Sequence, residues 1–408
     1  MKPLRWFAAS LLALGLALPA LTGDKKPDDA ADGGFVPMFD GQTLKGWVNV
    51  NCAPSTFFVK DNQIITTGKP TGYLRTEKHY ENFIAEFDWM HVPPAAGAVG
   101  NSGFFVWADP IPAVGTGYTR GIEVQVLVNL TYKNKKGEIT ATSQGDLFSI
   151  WGATCVPDRP HPDGWARCLP NGDYCKGEKE WNHYRVEAKD GRITLTVNGH
   201  EVSGVSKCNP RKGYLALESE GSECHFKNLK IKELPSTNPK PDEVADEDKG
   251  FKSLYTGLDL SGWKADDEAK KHWLPRDTVL HYDGKGKELR TEKEFAQPEF
   301  IVDLRFPGKE GGESAFVVGD GNSGILVTVA ATGKITAEAP GARGEATTDK
   351  LNQPGQWTRL RISPEGDVMI NGTKLITLRS PAMPKKGTLT LRPAGQMDFA
   401  NLFVRELK

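Results

Sequence analysis

The chain has 408 residues, and its 51 basic side chains are balanced by 52 acidic ones, for a net charge of −1. Such a balance gives no electrostatic footprint for nucleic acid or for an anionic membrane surface. The length suits two domains, and 44 glycines and 27 prolines disfavour long helices.

Lys2 and Arg5 precede an apolar run from Trp6 to Leu18, which Pro19, Ala20, Thr22 and Gly23 then close. A basic start, a short apolar stretch and small or helix-breaking residues make a secretory signal peptide over residues 1–23, too short for a membrane span. The mature protein is therefore expected to be secreted or periplasmic, with no membrane contact after cleavage. Six cysteines follow: Cys52, Cys155, Cys168, Cys175, Cys208 and Cys224. An even count in an exported chain predicts disulfides, although sequence does not choose the pairing.

Short runs bounded by turn residues, such as 83–89, 192–197 and 214–218, predict strands and an all-β sandwich or barrel. Between Gly100 and Phe148 the pattern becomes more specific. Asn101-Ser102-Gly103 leads into an apolar run ending at Trp107, and a Gly/Pro-rich loop then enters Gly121-Ile122-Glu123-Val124-Gln125-Val126. Strand side chains alternate faces, so Ile122, Val124 and Val126 make a core face while Glu123 and Gln125 stand together on the other.

An internal repeat organises the whole chain. Residues 35–47 (FVPMFDGQTLKGW) are echoed by 251–263 (FKSLYTGLDLSGW), and LRTEK recurs at 74–78 and 289–293. Trp181 and the Asn198-Gly199 turn are matched by Trp357 and Asn371-Gly372, and GYLAL at 213–217 by GTLTL at 387–391. Asn-Gly between strand-like runs signals a hairpin. Residues 235–249, rich in Pro, Asp and Glu, read as a linker. The copies are then 33–234 and 250–408, a duplicated domain. The offset between copies falls by about forty residues from Trp47 to Trp181. That shortening is read as removing the Glu123 strand and the Cys-rich loop, which leaves the second copy a separable, non-catalytic framework.

These motifs resemble the 3-keto-disaccharide hydrolase domain family. The resemblance rests on residues 39–47 (FDGQTLKGW), Asn101-Ser102-Gly103, the Glu123–Gln125 strand, Gly145-Asp146-Leu147-Phe148, Trp181-Asn182 and Phe226-Lys227-Asn228-Leu229. It covers residues 35–234 well, whereas 250–408 match only its framework. The resemblance implies tandem concanavalin-like jelly-roll sandwiches. It also implies a carbohydrate partner, a glycoside oxidised to a ketone at C3, cleaved by hydrolysis or by elimination and hydration.

A C3 ketone acidifies the C2 hydrogen, so one base suffices where ordinary glycoside hydrolysis uses two carboxyl groups. Glu123 is the candidate base, with a pKa raised by partial burial, and Asn101 and Gln125 are candidate donors. A second acid could come from Asp146 or Asp88. Trp107, Tyr118, Trp151 and Trp165 are candidate sugar-stacking residues, His161 and Asp163 candidate rim residues, and Asp146 and His161 candidate substrate contacts. No cofactor is called for, and a divalent metal is left open. The competing reading is a carbohydrate-binding module or structural secreted protein without chemistry.

Overall fold

The computed structural model describes residues 33–95, 100–128, 145–307, 312–319, 324–349, 351, 355–380 and 383–407. The signal-peptide expectation lies outside them. The chain folds as two all-β sandwiches in tandem, each of two antiparallel sheets. In the first copy a nine-stranded sheet centred on Phe83–Val92 and Glu223–Glu233 faces a seven-stranded sheet. The central strands of the latter are Gly121–Val126, Ser102–Ala108 and Tyr214–Ser219.

The predicted alternation holds. Ile122, Val124 and Val126 are fully buried between the sheets with Phe87, Phe104 and Leu217. The Asn-Gly turns at 198 and 371 have left-handed backbone at both positions, φ 48° and 88° in the first copy and 46° and 79° in the second. Those values suit the tight hairpin turn that Asn-Gly favours. Trp47 and Trp263 play one role twice: each indole donates to a carbonyl nine residues upstream, of Met38 and Leu254.

Two expectations need correction. The six cysteines are all free thiols. Cys52, Cys168, Cys208 and Cys224 are packed in the first core, where cysteine acts as a small apolar side chain and needs no partner.

Second, the strand thought to be deleted from the second copy is present. Ile325–Ala330 pairs with Glu313–Val318 as Gly121–Val126 pairs with Ser102–Ala108. The shortening falls in the connections instead. The twelve residues between Ala108 and Gly121 correspond to the six between Val318 and Ile325. A two-residue-period pattern carries no mark of which loops have been trimmed, so the alignment assigned the loss to the wrong element.

The second copy also docks on the first. Ile301 and Phe403 pack on Tyr73, Phe105 and Ala216, the same outer sheet face that bears Glu123. The connecting segment is itself pinned: Ala245 is buried, and Asp248 pairs with Arg75 at 2.6 Å.

Candidate active site

The site is built on three neighbouring strands. Glu123 lies opposite Phe105, and Gln125 opposite Gly103. On the other side of Ser102–Ala108, Leu217 lies opposite Phe104, which places Glu218 beside Gly103 on the Glu123 face. The chain then turns and brings Glu220 to the same point, so that carboxylate oxygens of Glu123, Glu218 and Glu220 all lie within 4.8 Å of one another. Gly103 makes this approach feasible. A Cβ there would sit 2.8 Å from Oε1 of Glu123 and 2.9 Å from Oε2 of Glu218.

Polar neighbours hold one of the three. The Tyr118 hydroxyl donates to Glu220 at 2.7 Å, and the Asn101 amide donates to its other oxygen. The Gln125 amide in turn donates to Asn101 Oδ1 and, at 3.1 Å, to the Ser102 carbonyl. Glu218 is 1% exposed and neither of its carboxylate oxygens has a hydrogen-bond partner. Glu123 keeps 9% exposure. Burial, then the charge of Glu220, push Glu123 up to about 8 against the opposing pull of Arg167. Burial followed by Glu220 and Glu123 drives Glu218 well above the ordinary carboxylate range. The expected raising of Glu123 is thus present, but its cause includes like charge as well as desolvation.

The other candidates divide. Tyr118 and Trp151 stack at 6.3 Å with nearly parallel rings, and Trp151 is 53% exposed, so the pair forms an aromatic edge beside the carboxylates. His161 and Trp165 stack at 4.2 Å, Trp165 remaining exposed. Asp146 is fully buried in an ion pair with Arg167, whose guanidinium lies 3.8 Å over the Phe148 ring. It is therefore a structural carboxylate rather than a substrate contact or a spare acid.

Trp107 is a correction. A bulge where the strand pairs with Tyr214–Ser219, with φ of 56° at Trp107, turns its ring into the core. Its indole donates to the Glu81 carbonyl, and it is wholly buried, out of reach of a sugar. Asp88 lies on the opposite sheet.

Sequence reading missed Glu218, Glu220 and Gly103. The signal was present in Leu217-Glu218-Ser219-Glu220, two carboxylates at strand spacing, but it lay inside a run read as repeat framework.

The chain is thus a tandem β-sandwich protein whose first copy carries clustered carboxylates, edged by stacked aromatics, on an outer sheet face. The chain belongs to the 3-keto-alpha-glucoside-1,2-lyase-like domain family, whose model matches residues 34–232 and again 250–405. No curated protein matches the chain. Among solved structures, a candidate glycosyl hydrolase from Parabacteroides distasonis is 22% identical, covering 52% of this chain and 99% of its own, with a TM-score of 0.41. A second from the same organism is 17% identical, covering 49% and 99%, with a TM-score of 0.35. The carbohydrate-binding module CBM66 of Bacillus subtilis is 12% identical, covering 47% and 98%, with a TM-score of 0.34. Likenesses this distant carry no argument about chemistry.

Proposed function

We propose that the first copy cleaves glycosides oxidised to a ketone at C3, with Glu123 as the base. Glu123 takes the proton from C2, and the C–H electrons form an enolate onto the C3 oxygen. The enolate collapses back to the ketone as C1=C2 forms and the C1–O bond breaks, the leaving oxygen gaining a proton. Water then adds across the double bond, hydroxyl to C1 and hydrogen to C2, so the net result is hydrolysis. One base and hydrogen-bond donors meet these needs. The observation that carries the assignment is the division of labour in the cluster. Glu220 has both oxygens engaged and Glu218 is sealed from solvent, which leaves Glu123 to meet a substrate. Tyr118 supplies a hydroxyl donor at the same place.

The same reading assigns the second copy a non-catalytic role. It places the protein outside the cytoplasm, on the strength of the N-terminal apolar segment. Incubating the protein with 3-keto-glucosides and with the parent glucosides tests it. Aglycone release from the oxidised substrates alone is expected. Binding without release would select the carbohydrate-binding module, for which a cavity of about 490 Å³ on the opposite sheet, lined in part by Asp88, His183 and Asn228, is the available site.

A further inference from the structure

We propose that Glu123, Glu218 and Glu220 together bind a hard divalent cation. Two independent features point to it. The first is the convergence itself: three carboxylates from two strands and a turn, brought within 4.8 Å at a place where Gly103 removes the side chain that would separate them. The second is the state of Glu218. It is sealed from solvent, one of its oxygens lies in the cluster, and neither oxygen has a donor. The carboxylates it meets there, Glu123 and Glu220, are acceptors like itself. A buried carboxylate without a donor is costly unless a cation or a proton balances it.

The donor set selects the kind of ion. All three ligands are carboxylate oxygens, with no imidazole or thiolate among them, which favours a hard cation over zinc or copper. Calcium, magnesium and manganese all accept such oxygen ligands. Three protein ligands leave coordination positions open, and an oxygen of the substrate could occupy one. A carboxylate that gives one oxygen to the cation keeps the other, so Glu123 can serve as ligand and base.

The inference rests on the site proposed above but not on the 3-keto substrate, and its test needs no substrate. The full chain, stripped with EDTA and dialysed, is titrated calorimetrically with CaCl₂ and with MnCl₂, and its thermal unfolding followed alongside. One equivalent should bind and raise the melting temperature, and Glu218→Gln should weaken binding at least tenfold while the protein remains folded by circular dichroism. Should Glu218→Gln fail to fold, Glu220→Gln, at a more exposed position, gives the same reading. The proposal is overturned if neither ion binds, or if the variants bind as the parent does. In the first case a melting temperature raised by Glu218→Gln would identify a shared proton as the counterion. Cation binding without turnover of 3-keto-glucosides would sink the substrate assignment and leave the site standing.

Discussion

The two copies carry the same pair of sheets and put them to opposite uses. In the first copy the seven-stranded sheet bears the carboxylates. Matched through their strand partners, the equivalents of Glu123, Gln125, Glu218 and Gly103 in the second copy are Leu326, Thr328, Arg392 and Ala315. Glu220 corresponds to Ala394. No carboxylate survives, a cation has replaced one, and the glycine that let two of them meet has gained a methyl group. On the other sheet the contrast reverses. Asp303, Arg359 and Asn401 of the second copy stand where Asp88, His183 and Asn228 stand in the first.

In the first copy that trio lines an open cavity. In the second it is a clamp on the site loop. Asp303 accepts from the Gly115 amide at 2.8 Å, Arg359 donates to the Pro112 carbonyl at 2.9 Å, and Asn401 donates to the Ala113 carbonyl at 3.0 Å. Tyr118, which holds Glu220, is on that loop. One copy displays the site, and the other holds the loop that completes it.

The comparison breaks most sharply at Glu123. Glu123→Gln keeps the shape and removes the base, so turnover should fall on the order of a hundred- to ten-thousand-fold. The substrate dissociation constant should change little by comparison. Unchanged turnover would mean that another carboxylate of the cluster is the base, with Glu220 the next to replace.

The clamp should register next, as stability. Asp303 is fully buried and paired through both oxygens with Arg359, at 2.7 and 2.9 Å. Asp303→Ala leaves a guanidinium and the Gly115 amide without their acceptor, which should cost about 3–5 kcal/mol in urea unfolding. Hydrogen exchange at residues 113–118 should accelerate, because the loop loses an anchor. Unaltered exchange there would show that the second copy does not hold the loop.

How much of this the sequence could reveal depended on how local the signal was. The strand face of Glu123 and Gln125 was legible because a period of two is a local property. The repeat was legible because framework tryptophans and Asn-Gly turns mark the same structural points twice. Glu218 was not, since it meets Glu123 across an intervening strand of the sheet while about a hundred residues separate the two in the chain. Trp107 was misread because a bulge reverses the alternation at that one residue. The clamp was hidden for a further reason. Asp303 and Arg359 look like ordinary surface charges until the other copy covers them.

Gly103→Ala asks whether the missing methyl group matters, and it copies the residue the second copy already has. The new Cβ would fall inside 3.0 Å of two carboxylate oxygens, so those side chains must swing apart. Turnover should drop roughly tenfold, equivalent to about 1.4 kcal/mol, with a stability loss of about 1 kcal/mol from the repacking. The converse change, Ala315→Gly, should do nothing to activity. If Gly103→Ala is silent as well, close approach of the carboxylates is not required.

The smallest effect concerns pH, and it follows from the exchange of His183 for Arg359 between the copies. His183 Nδ1 donates to Asp88 at 2.7 Å, and the Asn228 amide donates to the other Asp88 oxygen at 2.6 Å. The hydrogen bond to Asp88, and its charge, hold His183 above its ordinary 6.5 despite partial burial. Burial pushes Asp88 up, but the bonds from His183 and Asn228 outweigh it and leave Asp88 below its ordinary 3.8.

A raised histidine contributes stability that is fully present below pH 6.5 and disappears as pH climbs through its folded value. A depressed aspartate contributes stability present above 3.8 and lost as pH falls through its folded value. Both are intact together only between about pH 4 and 6.5. With the histidine side chain 46% exposed, solvent screens the pair, and its worth stays below about 1 kcal/mol. His183→Arg, which installs the second copy's residue, should keep the pair charged at alkaline pH. The unfolding free energy of the variant relative to the parent should therefore rise between pH 6 and 9 and stay level between 4.5 and 6. A flat difference across the whole range would mean that His183 does not titrate against Asp88 on folding. The trio would then be electrostatically alike in the two copies and would differ only in what covers it.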